Sequence, residues 1–145
     1  NPFLAAKKVV AMLQEQGITT IIVDFHAEVT SEKYAMLHLL KGDVTAILGT
    51  HTHVGTDDLL IDSGTCYVTD VGLTGARDGV IGMDKEAPLR RFLTGLPTAL
   101  EIPKKSKKIF QMIVMEIEEG HCCEALKLRI FDDQERVVAK AIHEQ

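Results

Sequence analysis

The chain has 145 residues, of which 46% are hydrophobic and 26% charged, and its net charge is −5. This composition excludes a disordered or fibrous protein and predicts one domain, or most of one, with a sizeable core. The acidic balance gives no general attraction to nucleic acid, and we interpret the single basic run, "KKSKK" at 104–108, as a solvated turn. No apolar run approaches the roughly 20 residues that a bilayer-spanning helix needs. We expect neither a nucleic-acid nor a membrane partner.

The first third of the sequence predicts a strand–helix–strand unit. Asn1 is the predicted cap of a first helix that ends at Gly17. The β-branched run 18–25 follows and is typical of a central strand buried on both faces. Thr30 or Ser31 is expected to cap a second helix that runs to about residue 40. The fold class predicted from this alternation is α/β, with a largely parallel sheet at the start.

Past the next apolar strand, predicted over 44–50, the pattern changes to antiparallel pairing. A hairpin is predicted around Ser63 and Gly64, and a second antiparallel pair is predicted to turn at Gly120. Between them lie a glycine-rich irregular segment and one short helix. The sequence therefore predicts a parallel βαβ start followed by antiparallel strands.

The three cysteines argue for an intracellular protein. Cys66, Cys122 and Cys123 are an odd number without a C-x-x-C spacing. Adjacent cysteines on a strand point to opposite faces, so Cys122 and Cys123 make poor ligands for one ion. We interpret all three as reduced thiols of a cytoplasmic protein.

Three histidines follow two of the predicted strands. His26 comes after the first strand, and His51 and His53 follow the second in "GTHTHV". Ligands of α/β sheets gather beyond the carboxyl ends of the strands, and neutral imidazole is the commonest protein ligand of transition metals. On extended backbone, both side chains of H-x-H leave the same face. We therefore predict a metal site. The simpler alternative is that all three are structural histidines. The residues alone fit either a single zinc-like site or a pair of Mn, Fe or Zn ions.

Four carboxylates could lie in the same crevice as these histidines. Asp24 and Glu28 flank His26 by two residues on either side, so either could orient its imidazole through the second ring nitrogen. Asp70 and Asp78 belong to the glycine-rich segment. For these two we favour a loop-structuring role over direct participation in the site.

Several blocks of the chain resemble one enzyme family. "VDFHAEVTSEK", "VTAILGTHTHVGTDD" and "GTCYVTDVGLTGARDGVIGMDKE" are similar to the bacterial YmdB-type proteins of the calcineurin-like metallophosphoesterase superfamily. The resemblance implies an α/β/β/α sandwich with two divalent metal ions (Mn, Fe or Zn) at the strand ends. It also implies phosphodiester hydrolysis, with small substrates such as 2′,3′-cyclic nucleotides and a metal-activated water as nucleophile.

The resemblance assigns roles to the three histidines. His26 matches the isolated histidine ligand of the family. His51 matches the first histidine of the G-x-H-x-H motif, which shares the second metal with His26, and His53 matches the second, which binds the first metal. The family's catalytic histidine belongs to a G-N-H segment that has no counterpart here, so no catalytic residue is assigned to this chain.

The family's G-D strand end and Glu-Asn pair are also without counterparts. Residues 1–145 therefore resemble the carboxy-terminal portion of a single metallophosphoesterase domain whose amino-terminal half is absent from this sequence. We expect this portion to be inactive alone and to form a homo-oligomer or pair with the missing half. Two alternatives remain: a non-catalytic metal-binding or assembly module, and a structural remnant that holds no metal.

Overall fold

The structure is a computed structural model that describes residues 1–132 and 134–144. Three helices and nine strands are formed in this part of the chain, in the order α1 (Pro2–Glu15), β1 (Ile22–His26), α2 (Thr30–Leu40), β2 (Ala46–Thr50), β3 (Leu60–Asp62), β4 (Thr65–Val68), β5 (Gly75–Ala76), α3 (Glu86–Thr94), β6 (Lys108–Glu118), β7 (His121–Phe131), β8 (Gln134–Lys140) and β9 (Ile142–Glu144). They build one sheet with the order β1-β2-β4-β3-β9 and a second with the order β5-β6-β7-β8. The predicted α/β class, with a parallel start and antiparallel strands after it, is confirmed.

The first helix begins as the sequence predicts. The side-chain oxygen of Asn1 accepts hydrogen bonds from the backbone N–H groups of Phe3 and Leu4 at 3.0 and 3.4 Å, which satisfies two donors that a helix start leaves unpaired. Phe3 packs edge-on against Phe25 of β1, with ring centroids 6.2 Å apart. None of the helices in the described part of the chain is both long and apolar enough to cross a membrane.

The second helix begins differently from the prediction. Val29 occupies the cap position with an extended backbone, and no side chain caps the helix, so neither Thr30 nor Ser31 has the predicted role. The helix begins at Thr30, so Thr30 and Ser31 both lie inside its first turn and not at the cap position. Glu32 in that turn provides negative charge at the positive end of the helix dipole instead.

The first strand is also placed differently. It is shorter than the predicted 18–25 segment, and among the described strands it pairs only with β2, so it lies at a sheet edge and not at the centre. Val23 and Phe25 pack against the helices. Ile22, on the opposite face, is 51% exposed. An apolar run predicts that a strand has a buried face. It does not predict how many strands pair with it, because that depends on long-range pairing.

Two hydrophobic cores hold the layers together. One joins α1 and α2 to the first sheet through residues such as Leu37, Ile47 and Tyr67. The other lies between the sheets and contains Cys66 and Cys122. These cysteines are buried free thiols, while neighbouring Cys123 is only partly buried, in line with opposite orientations on β7. The predicted turns at 63–64 and Gly120 are confirmed, whereas β8 and β9 were not predicted.

The carboxyl ends of β1, β2 and β4 lie side by side. His26 is in register with Thr50, and β2 runs parallel to β4 on its other side. At the end of β2, a Cβ atom built on Gly49 would lie 1.8 Å from the carbonyl oxygen of Thr69. Only glycine allows the two chain segments to approach this closely.

We expect Gly49→Ala to destabilise the fold by at least about 2 kcal/mol, because the added methyl group overlaps a backbone atom that cannot rotate away. The matched control is Gly17→Ala, where φ is +78° and nothing lies within 4 Å of the new Cβ. It should lose only about 1 kcal/mol, from backbone strain. Urea unfolding of both variants measures the difference, and equal losses would contradict the close-approach argument.

Candidate metal centre at the strand ends

Two of the three predicted histidines meet at the strand ends. Nδ1 of His51 lies 3.1 Å from Nε2 of His26, and the two ring centroids are 4.9 Å apart at an interplanar angle of 71°. His26 is the last residue of β1, and His51 follows directly after β2. Parallel pairing of these strands therefore brings together two histidines that are 25 positions apart in the sequence.

The hydrogen bonds around His26 fix its tautomer. The hydroxyl of Thr50 donates to the carboxylate of Asp24 at 3.2 Å, so its single proton is already committed. The Thr50 oxygen must then accept the hydrogen bond from Nδ1 of His26, 3.1 Å away. Nε2 of His26 consequently carries the lone pair and faces His51. This is the arrangement of a metal-binding histidine, whose other nitrogen is held by a hydrogen bond.

The two flanking carboxylates of the sequence prediction have different positions. Asp24 reaches His26 only through the hydroxyl of Thr50. Glu28 lies in the connection between β1 and α2 and is exposed. Of the two, only Asp24 lies in a position from which it can influence the imidazole.

His53 lies apart from this pair. Its Nδ1 donates to the carbonyl oxygen of Ile81 at 2.8 Å, which leaves Nε2 of this ring with the lone pair. An extended backbone was expected here from the sequence. The structure differs, because φ is +132° at His51 and +62° at His53. The two rings of the motif therefore face different partners. Such positive φ values are costly for residues with a side chain and need support from the surroundings.

Asp70 provides part of that support. Its carboxylate is 1% exposed and accepts from the backbone N–H groups of Thr52 and Gly72 at 2.8 and 2.9 Å. Burial raises the pKa of this carboxyl, but these backbone donors and the charge of Lys33 outweigh the burial and hold the pKa below its usual value. The predicted loop-structuring role of Asp70 is confirmed, because it fixes the residue between the two histidines.

Lys33 provides the remaining support for the backbone of the histidine loop, and this role was not predicted from the sequence. Its ammonium group donates to the carbonyl oxygens of Thr50 and Thr69 at 2.8 and 2.9 Å, and it lies 3.5 Å from the carboxylate of Asp70. The side chain is 1% exposed. One signal was available: Lys33 shares a helix face with the buried Met36 and Leu37, three and four positions on. A charged residue on an apolar face indicates a buried partner.

The donor chemistry at this site fits a divalent transition metal in part. Two nitrogen ligands about 2.1 Å from one ion lie roughly 3.0 to 3.4 Å apart, close to the 3.1 Å between His26 Nε2 and His51 Nδ1. An ion bound to both nitrogens would replace the proton that Nδ1 of His51 donates to Nε2 of His26. His53 offers a third lone pair at a different place. Within residues 1–132 and 134–144, no three His, Cys, Asp or Glu side chains cluster closely enough to hold one ion. The described chain can therefore supply ligands but not a complete coordination sphere.

Comparison with known proteins places this arrangement in a family. The model of the YmdB-like protein family matches residues 1–128. The chain belongs to the YmdB-like family. It is 41% identical over 120 residues to the 2′,3′-cyclic-nucleotide 2′-phosphodiesterase of Bacillus subtilis (strain 168), an alignment that covers 82% of this chain and 45% of the relative.

Two solved structures resemble this YmdB-like chain at 35% identity. One, described as a novel phosphatase from Mycoplasma pneumoniae, has a TM-score of 0.82 and aligns with 90% of this chain and 47% of its own. The other, a hypothetical protein from Thermus thermophilus, has a TM-score of 0.78 and aligns with 98% of this chain and 52% of its own. The predicted family and fold are confirmed, and the chain spans about half the length of these relatives.

We expect Lys33→Met to lower the free energy of unfolding by about 3 to 5 kcal/mol, because it leaves the buried Asp70 charge without its partner. Lys8→Met, on the exposed side of α1, is the matched control and should change stability by about 0.5 kcal/mol or less. Urea unfolding measures both values. A loss below about 1 kcal/mol for Lys33→Met would show that the pair does not hold the strand ends.

Proposed function

We propose that the protein containing this chain is a metal-dependent phosphodiesterase in which His26, His51 and His53 bind divalent ions. The observation that supports this most is the pair of imidazole nitrogens 3.1 Å apart at the ends of two parallel strands. The YmdB-like relatives support the reaction class, since the Bacillus subtilis protein is named as a 2′,3′-cyclic-nucleotide 2′-phosphodiesterase. We propose small phosphodiesters as substrates, 2′,3′-cyclic nucleotides among them.

In this proposal the chain binds and orients, and the metal supplies positive charge. Divalent ions bound by these histidines, which we propose to be Mn, Fe or Zn, would supply positive charge next to the phosphate oxygens of a substrate. The Asp24–Thr50–His26 hydrogen bonds keep the lone pair of His26 directed towards His51. The Ile81 carbonyl leaves the lone pair of His53 on Nε2 in the same way. No residue of this chain is proposed as the general acid or base.

We further propose that the remaining ligands come from chain that pairs with the edge of β1. This edge has no partner strand among the described residues, and Ile22 and Val29 near it are 51% and 49% exposed. An open apolar edge of this kind favours pairing with another strand. The partner is either an amino-terminal half of the same protein or a second copy of the chain. The three free thiols favour a cytoplasmic location.

Replacement of the paired histidines should weaken metal binding. We expect His26→Ala and His51→Ala each to reduce Zn²⁺ affinity at least about tenfold, since each removes one of two adjacent nitrogen ligands. His38→Ala, an exposed histidine on α2, is the matched control and should bind like the unmodified chain. Titration calorimetry and elemental analysis measure affinity and content. Unchanged values in all three variants would favour the structural remnant that holds no metal.

The 145-residue chain alone should hydrolyse phosphodiesters at least about a hundredfold more slowly than its Bacillus subtilis relative, because key transition-state contacts are missing. Assays with bis(p-nitrophenyl) phosphate and 2′,3′-cyclic AMP in the presence of Mn²⁺ test this. Comparable rates would contradict the proposed division of the site. Metal binding without hydrolysis, in a protein of the relatives' full length as well, would favour the non-catalytic module.

A further inference from the structure

A second buried lysine contacts the histidine loop (residues 50–56). Lys127 of β7 is 5% exposed. It lies opposite Ile113 of β6 and two residues after Ala125, and both of these neighbours pack in the core between the sheets. Residues two apart on a strand share a face, so Lys127 adds a charge to an apolar face. Burial lowers the pKa of its ammonium group, and the charge of Arg129 lowers it further, so the charged form is costly here.

The hydrogen bonds of Lys127 hold the second half of the loop. Its Nζ donates to the carbonyl oxygen of Thr56 at 2.6 Å and to that of Asp70 at 3.2 Å. The same carbonyl of Asp70 accepts from the backbone N–H of Thr56 at 3.0 Å. One ammonium group therefore joins the loop, the chain after β4 and the second sheet at one point, three residues after His53.

Two neighbouring residues strengthen this contact. Arg129, on the same face of β7, donates to the carbonyl oxygen of Gly55 at 3.2 Å, so two cations of one strand hold two successive carbonyls of the loop. A Cβ atom built on Gly55 would lie 2.7 Å from Nζ of Lys127 and closer still to Oε1 of Gln111. Glycine at this position therefore allows the loop to lie directly on these side chains.

The two halves of the loop have separate anchors. Lys33 donates to the carbonyl oxygen of Thr50, before the histidines, and Lys127 donates to the carbonyl oxygen of Thr56, after them. A hydrophobic side chain of similar volume at position 127 would avoid the cost of burying a charge, but it could not hold a carbonyl in place. The charge of Lys127 therefore acts on the position of the loop backbone and not on the packing of the core.

We propose that Lys127 is a positioning residue for His53. By holding the carbonyls of Thr56 and Asp70, it fixes the backbone from which the His53 ring reaches the Ile81 carbonyl, and so determines which ring nitrogen keeps the lone pair. The use of that lone pair as a metal ligand rests on the proposed function, but the position of the ring does not.

The first histidine pair provides an internal reference. His26 is bound to Thr50 and to His51, and neither of these contacts involves the second sheet. The ring of His26 should therefore be independent of Lys127.

Long-range ¹H–¹⁵N spectra of the histidine rings test the proposal in the metal-free chain, with a chelator present and at mildly alkaline pH. In the unmodified chain, His53 should show a single tautomer with its proton on Nδ1. Lys127→Met should replace these signals by the averaged signals of an unrestrained ring, with those of His26 unchanged. The amide of Thr56 should exchange with solvent at least about tenfold faster in the variant, because its bond to Asp70 loses support.

Two further variants separate positioning from stability. Gly55→Ala should cause the same changes at His53, because the new methyl group displaces the flexible end of Lys127 without removing a charge. Lys41→Met is the matched control. It removes a partly buried ion pair, 2.7 Å from Asp62, at the end of the sheet where β4 starts, and it should lower stability without changing the His53 signals.

A His53 ring that keeps its single tautomer in both Lys127→Met and Gly55→Ala would overturn the proposal, and so would equal changes in Lys41→Met. If Lys127→Met does not fold, Gly55→Ala decides. Zinc titration of the unmodified chain separates this result from the proposed function. Loss of the tautomer in a chain that binds no zinc would support the positioning role and contradict the metal centre. Zinc binding with an unaltered His53 ring in both variants would do the reverse.

Discussion

The buried contact between Lys33 and Asp70 is the interaction on which the site depends. It joins the second helix to the ends of two strands and to the backbone between two histidines. A buried ammonium and a buried carboxylate each lose several kcal/mol of hydration, so the pair persists only because the surroundings supply further hydrogen bonds. Two carbonyls accept from the lysine, and two backbone N–H groups donate to the aspartate.

That contact explains why the histidine loop can hold an uncommon backbone. Positive φ at His51 and His53 costs free energy, and the surrounding structure has to determine it. Asp70 fixes the amide of Thr52 between them, and Lys33 fixes the carbonyl of Thr50 before them. Gly49 then allows the strand end to approach the backbone at Thr69. The loop's shape therefore results from its anchors on both sides and not from the local preference of its own residues.

The sequence predicted the parts of this arrangement that depend on short-range pattern. Strand-end histidines could be recognised because a parallel βαβ unit brings the carboxyl ends of its strands to one edge. The role of Lys33 could not be predicted without knowing which strand ends its helix face covers. The edge position of β1 was not predicted, because a hydrophobic pattern does not reveal how many strands pair with it. Arg129 approaches Gly55 only through the packing of chain segments 74 positions apart in sequence. Contacts of that range leave no local periodicity to detect.

His53 lies beside a cavity whose lining includes the glycine-rich segment around Ile81. Its Nδ1 is bound to the Ile81 carbonyl, so the same hydrogen bond that leaves the lone pair on Nε2 also closes one wall of the cavity. The hydrogen bonds of His26 and His51 lead instead to each other and back to Thr50 and Asp24.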